Sequence, residues 1–261
     1  MSGGWTALVL AASEPGDKIA KAAGVPSKLL IDLGGVTMLG GALAALAAAP
    51  SVGRVIVATD DMAMLDGLEP RPDAAQAAGG PLQTVQAAYG QLGPPLLIVD
   101  LAKPLLTSGD IEGFVSGLGR ASAGLAVVSE TTIEGAYPVR NLAAVAFADA
   151  AYVGAGLYGL AREDARQAMA ALEKIDWEAK NLIGALRPLD PFGGLLMSAG
   201  RLSLSRAMAR LSRRIGAVVT AVESRSPELA LEIRAVADLA HARRSLLGRR
   251  LAAGPQGRMK E

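Results

Sequence analysis

The feature that most limits the fold is a repeated switch of hydrophobic period. Short apolar runs bounded by turn residues, TALVLAA at 6–12, RVIVATD at 54–60, PLLIVDL at 95–101 and GLAVVSE at 124–130, have the length of buried strands. Between them lie segments of helical spacing, MLGGALAALAAA at 38–49, LQTVQAAYGQL at 82–92 and SGDIEGFVSGLGRA at 108–121. A strand, a helix and a second strand in succession return the chain in parallel through a right-handed crossover. The expected class is α/β with a doubly wound, mostly parallel sheet, and in such sheets ligands sit at the carboxyl ends of the strands. The loops after Ala12, Thr59 and Asp100 are therefore where chemistry is expected.

The second half adds strands at YVGAGLYGL, 152–160, and AVVTAVES, 217–224. REDARQAMAALEKIDW and residues 180–214 read as mostly helical, giving a helical insert at about 177–216. Within it Met208, Leu211 and Ile215 share a helical face expected to be core. Phe192, Leu195, Leu196, Met197 and Leu202 serve either the core or a subunit contact. SPELALEIRAVADLAHARRSLL closes one domain, residues 1–253, and 254–261 form a tail rich in Gly, Pro and charge.

Composition excludes several classes. The chain is 261 residues with 51% hydrophobic and 3% aromatic content, enough to build one large core from closely packed helices and strands. A net charge of +1 supplies no general field for a nucleic-acid backbone, so no nucleic acid is expected as partner. The arginines of 201–214 and 243–250 are expected on solvated helix faces. No cysteine is present, which removes disulfides, thiolate nucleophiles and Cys-based metal sites. No stretch approaches the roughly 18 apolar residues of a membrane span. No membrane association and a cytoplasmic location are therefore expected. His241 is the single histidine, on a basic helix where surface placement is the usual outcome.

In the first loop, AASEPGDKIAKAAGVPSKLL at 11–30, a strand ends in small residues ahead of a Gly-containing turn. Backbone N–H groups there can approach a phosphate, and Lys28 behind them can neutralise its charge. Ala11, Ala12 and Ser13 are the small residues concerned. The loop matches neither GxGxxG nor GxxxxGK[ST]. Taken with VPSKLLIDLGGVTMLGGALAAL, VGRVIVA, GPPLLIVDLAKPLLT, VGAGLYGL and ALEIRAVADLAHAR, it resembles the MobA-like NTP transferases, the family of molybdenum cofactor nucleotidyltransferases. The likeness in order and rhythm runs over almost the whole chain.

The resemblance implies a nucleotide-diphospho-sugar transferase-like fold of the GT-A, Rossmann-like kind. It implies transfer of a nucleoside monophosphate from a nucleoside triphosphate to a phosphorylated cofactor or sugar precursor, with Mg²⁺ as cofactor. Lys28 and Lys103 then stand as catalytic cations, Gly79 and Gly80 of AAGGPLQTV in the base-accommodating loop, and Asp100 and Glu232 as metal ligands. The sequence departs from the family pattern at four places. Residue 102, where the metal Asp would precede KPLL, is Ala. The first loop offers Lys18 and Lys21 instead of Arg, and Gly156 replaces an Asn. Glu232 and Arg234 stand where relatives carry D-x-D.

Asp100 lies two residues before Ala102, on the same face but roughly 6 to 7 Å back along an extended strand. It either reaches a metal through a shifted strand end or is a capped or water-bonded carboxylate. Lys103 and Arg234, if they converge, would offer an anion fixed positive charge without metal; an exposed Lys and an Arg paired with Glu232 is the alternative. Two functions remain: a working nucleotidyltransferase, or a degenerate relative with no metal that binds a ligand, a protein partner or further copies of itself.

Overall fold

A computed structural model describes residues 4–12, 16–101, 104–136, 144–175 and 189–252. The apolar runs become strands at the expected places: β1 (Trp5–Leu10), β2 (Val52–Thr59), β4 (Leu96–Asp100), β5 (Ala123–Ser129), β7 (Ala151–Leu160) and β8 (Val219–Glu223). Two strands were not foreseen, β3 (Asp73–Gln76) and the two-residue β6 (Val145–Ala146). Together they form one eight-stranded sheet ordered β3-β2-β1-β4-β7-β5-β8, with β6 paired to β7.

β1 pairs in parallel with β2 and β4, as β2 does with β3 and β5 with β8. The sheet is mostly parallel as expected, and β7 is the exception, running antiparallel to both β4 and β5. After β5 comes α5 (Glu130–Glu134), five residues long, and Tyr152 near the start of β7 pairs with Ser129 at the carboxyl end of β5. β6 then turns tightly into β7, with Phe147 N–H donating to the Ala150 carbonyl at 2.9 Å. β7 thus starts from the carboxyl end of β5.

Strand alternation divides the core into two layers. Ala7, Val9, Val57, Leu97, Val99 and Leu157 face one side. There they meet α2 (Met38–Ala47), α4 (Ser108–Leu118) and α9 (Val236–Ala252) through side chains such as Leu39, Leu46, Ile111, Phe114 and Leu239. Leu8, Ile56, Ala58, Leu96, Ile98 and Leu160 face the other side, under α3 (Pro81–Leu92) and α6 (Ala165–Leu172). Tyr89 of α3 is buried there, and its hydroxyl donates to the Arg162 carbonyl at 2.9 Å, tying α3 to the turn that leads into α6.

Of the helical insert, α7 (Pro191–Ser198) and α8 (Leu204–Ile215) are described; residues 177–188 lie outside the described residues, as does the 254–261 tail. Asp190 joins the two helices: its carboxylate caps Gly193 N–H at 3.0 Å and takes two bonds from Arg210, at 2.9 and 2.8 Å. The core expectation for Met208, Leu211 and Ile215 is corrected, because no residue of α8 is fully buried. α8 packs against β8 at the edge of the sheet, where only one side of the helix can be covered. Leu202 is buried as a core residue would be, whereas Phe192 remains 65% exposed.

Candidate active site at the strand switch point

The chain adds β2 and β3 on one side of β1 and then places β4 on the other. At such a switch point the loops leaving the two central strands diverge, and a crevice opens at their carboxyl ends. Leu10 at the end of β1 lies in register with Asp100 at the end of β4. Ala11 follows, wholly buried, its N–H donating to the Ala58 carbonyl at 2.8 Å. With Ala12 behind it, the rim of the crevice carries little side-chain bulk. Ser13 and Lys103 lie outside the described residues, as does Ala102.

Lys28 opens a short 3₁₀ turn, Lys28–Leu30, capped by Ser27 Oγ accepting from Leu29 N–H at 3.3 Å. Its ammonium lies 3.8 Å from Asp17 Oδ2, the two side chains being 18% and 9% exposed. Asp17 is itself the cap of α1 (Lys18–Ala23): Oδ1 accepts from Ile19 N–H at 2.7 Å and from Ala20 N–H at 3.2 Å. The sequence signal for Asp17, an Asp immediately ahead of a short helical run, identifies a cap but not the ion pair.

Gly79 and Gly80 close the loop after β3. Gly79 has φ +49, a conformation that suits glycine, and Gly80 is the cap residue of α3. The buried Thr84 holds this loop from inside the helix: its hydroxyl accepts from Ala78 N–H at 2.9 Å and donates to the Ala78 carbonyl at 3.1 Å. Ala77 N–H donates to the Thr59 carbonyl at 3.0 Å, which keeps the loop beside the end of β2. The expected base-binding glycines are therefore at the carboxyl end of the same sheet as Leu10 and Asp100.

Asp100 is half-buried on the face that α3 and α6 cover further back. Tyr158 of β7 shares that face, paired with Ile98 and so diagonal to Asp100. It is 41% exposed, beyond the reach of the covering helices. Desolvation pushes its phenol upward, and the carboxylates of Asp100 and then Glu232 push it further. Asp100, Tyr158 and Glu232 thus act on one region. Sequence reasoning missed Tyr158, which reads as one more apolar residue of a strand. Gly156, two residues away, has φ +71 where β7 bulges against β5.

Glu232 does not point to solvent alone. Arg234 Nη2 donates to its Oε2 at 2.8 Å, and Glu232 in turn raises the guanidinium's already high pKa. The Arg234 and Ala235 N–H groups donate to Asp238 at 2.9 and 2.7 Å, fixing the start of α9. Among the described residues no group of three or more His, Cys, Asp or Glu is placed to hold a metal ion. Mg²⁺ commonly takes one or two carboxylates and completes its shell with waters and substrate phosphates. A metal arriving with a polyphosphate would need no more than one or two protein carboxylates, and Asp100 is the one at the end of β4.

The fold recurs in solved structures. A hypothetical transferase from Thermus thermophilus superposes with a TM-score of 0.77 at 23% identity, over 90% of this chain and 99% of that one. CMP:2-keto-3-deoxy-manno-octonic acid synthetase, solved with CTP, matches at TM-score 0.59 and 13% identity, covering 95% of this chain and 100% of that chain. 4-Diphosphocytidyl-2C-methyl-D-erythritol synthase from Anaerococcus prevotii matches at 0.54 and 13%, covering 94% and 97%. No protein-family model matches the sequence, and no curated protein matches it.

Proposed function

We propose that the protein is a nucleotidyltransferase that moves a nucleoside monophosphate from a nucleoside triphosphate to a phosphorylated small-molecule acceptor. The observation that carries this reading is the register of Leu10 with Asp100 at the switch point, with the half-buried Lys28 on the loop after β1. An acceptor phosphate oxygen attacks the α-phosphorus, the bond to the β-phosphate oxygen breaks, and pyrophosphate leaves. Protein groups form no covalent intermediate in such a step; they align the partners and offset developing charge.

Lys28 supplies a cation to the triphosphate, the small residues Ala11 and Ala12 let the backbone approach it, and the Gly79–Gly80 loop receives the base. Mg²⁺ entering with the triphosphate would offset charge on the departing pyrophosphate, held on the protein side by Asp100. The names of two structural neighbours, a CMP-sugar synthetase and a diphosphocytidyl-erythritol synthase, support a nucleotide donor in general and make CTP the first to test. A MobA-like acceptor remains part of the proposal through the sequence resemblance.

One observation favours the second reading, a degenerate relative that binds without turnover: Arg234 occupies Glu232 at 2.8 Å, a cation on a carboxylate the family reading assigns to metal. Titration calorimetry with CTP, GTP and ATP, each with and without Mg²⁺, separates the two. The transferase reading expects one nucleotide to bind in a Mg²⁺-dependent manner, with Lys28→Met and Asp100→Asn each weakening it at least tenfold. Binding indifferent to Mg²⁺ and to Asp100→Asn would leave the degenerate reading standing.

A further inference from the structure

We propose that Gly154 and Tyr158 form the floor against which a phosphorylated sugar or polyol lies as acceptor, and that they set the size and polarity of the acceptor taken. This deepens the transferase reading and rests on it. In transfer at a phosphorus atom the attacking and leaving oxygens stand roughly in line. Lys28 and the Gly79–Gly80 loop, which that reading gives to the nucleotide, follow β1 and β3, on one side of β4. The acceptor therefore approaches from the other side of β4, where β7 lies.

β7 is an interior strand, between β4 and β5, yet part of one face is bare. Its ladder with β4 stops at the pair Val99 and Leu157, so the first residues of β7 project past the end of β4. Val153, Ala155 and Leu157 are buried with α2, α4 and α9, which turns Gly154 and Tyr158 to the opposite face. Both are exposed there, Tyr158 by 41%. β7 holds three glycines, and two have structural reasons. Gly156 has φ +71, and a Cβ on Gly159 would lie 2.7 Å from Leu118 Cδ1. Gly154 has neither reason: its φ is outside the left-handed region, and among the described residues a Cβ built on it meets nothing within 4 Å. A glycine inside a strand weakens it and marks close approach by a ligand or another backbone. With no backbone there, the approach belongs to a ligand.

Tyr158 supplies the polarity. Desolvation, then Asp100 and Glu232, keep its hydroxyl protonated, so it both donates and accepts. Hydroxyl groups of a ligand do the same and are its natural match. Gly154 lets a sugar ring or carbon chain lie flat on the strand, where any side chain would lift it. The acceptor's phosphate then supplies the attacking oxygen of the transfer, while its hydroxyls reach Tyr158.

The test uses glycerol-3-phosphate, ribose-5-phosphate and glucose-6-phosphate as probes, titrated by saturation-transfer NMR. The protein holds Mg²⁺ and the nucleotide that calorimetry selects, supplied as its α,β-methylene analogue so that no transfer occurs. The parent is expected to bind at least one probe. Gly154→Leu should weaken that probe about tenfold or more by filling the floor. Tyr158→Phe should weaken it about fivefold through one lost hydrogen bond. Nucleotide affinity should stay within about twofold of the parent in both, since the two sites are separate. Gly154→Ala should melt no lower than the parent, because its methyl fits the space and alanine has less unfolded freedom to lose. If no probe binds the nucleotide-loaded parent, or if either Gly154→Leu or Tyr158→Phe binds the probe as the parent does, the inference falls and the nucleotide site stands. A lower melting temperature for Gly154→Ala would give that glycine a structural role and also overturn it. If the parent binds no nucleotide, the transferase reading itself fails and takes this inference with it.

Discussion

A phenol on an otherwise aliphatic sheet face changes what the crevice can hold. Tyr158 is exposed where Ile98, its cross-strand neighbour, is buried, so the ring marks the boundary between core and ligand space. Because desolvation and the Asp100 and Glu232 carboxylates all disfavour the tyrosinate, the hydroxyl stays protonated and can donate to a ligand at any physiological pH. The folded protein holds this proton more tightly than the unfolded chain does. Its contribution to stability is therefore complete below the ordinary Tyr value of about 10 and is lost as pH rises through the folded value. Alkaline difference spectroscopy should show a tyrosine phase, absent in Tyr158→Phe, titrating above that ordinary value. Asp100→Asn should move it downward; no movement would mean that the carboxylate does not face the ring. Nothing in the sequence distinguished Tyr158, since exposure depends on where α3 and α6 stop covering the face. The place of Asp100 at the end of β4 was legible, because it closes a buried apolar run.

Elements were legible where hydrophobic pattern alone decides them. Six apolar runs gave six strands, yet β3, DAAQ, has no apolar run to find: it is a mostly exposed edge strand recruited by pairing with β2. Strand direction was illegible for another reason, since a buried run reads the same in either sense, and β7 runs antiparallel to β5. Inside the sheet, Gly124 and Gly159 sit opposite each other on β5 and β7. A Cβ on Gly159 would lie 2.7 Å from Leu118 Cδ1, and one on Gly124 would collide with the same leucine and come within 3.0 Å of the Thr220 carbonyl. The two glycines form a shallow seat for α4. Gly124→Ala is expected to cost about 1–3 kcal/mol by overpacking. Adding Leu118→Ala should cost less than it does alone in the parent, because the new methyl partly fills the space. A double-mutant cycle by urea unfolding measures that coupling, and strict additivity would rule out the seat.

The insert obeys the same logic at its Asp190 joint. Arg210 bonding holds the Asp190 carboxyl below its ordinary value, so the stabilisation is present above about pH 3.8 and fades as pH falls through the lower folded value. Asp190→Asn should reduce stability at neutral pH by about 1–2 kcal/mol and flatten the acid limb of the stability curve. An unchanged acid limb would show that the pair holds α7 to α8 without contributing to the fold.

Across the whole molecule, the C-terminal helix binds together the two loops that border the crevice. From α9, Arg243 donates to the Asp32 carbonyl at 3.1 and 2.8 Å, in the stretch just after the Lys28 turn. Arg249 donates to the Leu105 carbonyl at 2.8 Å, in the stretch after Asp100, and lies 3.7 Å from Glu228. These contacts span 211 and 144 residues of sequence, which is why a reading of α9 as a basic, solvated face could not anticipate them. The Asp32 carboxylate takes Gly34 N–H at 2.6 Å and the Gly35 N–H as well, so the carbonyl that Arg243 grips belongs to an already ordered turn. Each arginine therefore stabilises a loop locally, and the two act on opposite banks of the switch point. Arg243→Met and Arg249→Met, which keep the apolar stem, should each cost about 1 kcal/mol and add within about 0.5 kcal/mol. Amide hydrogen exchange resolves the two effects: Arg243→Met should speed exchange at 32–36 and leave 104–107 unchanged, and Arg249→Met should do the reverse. Exchange that rises in both loops with either substitution would mean that α9 detaches as a unit, and the separate staples would give way to a single cooperative dock.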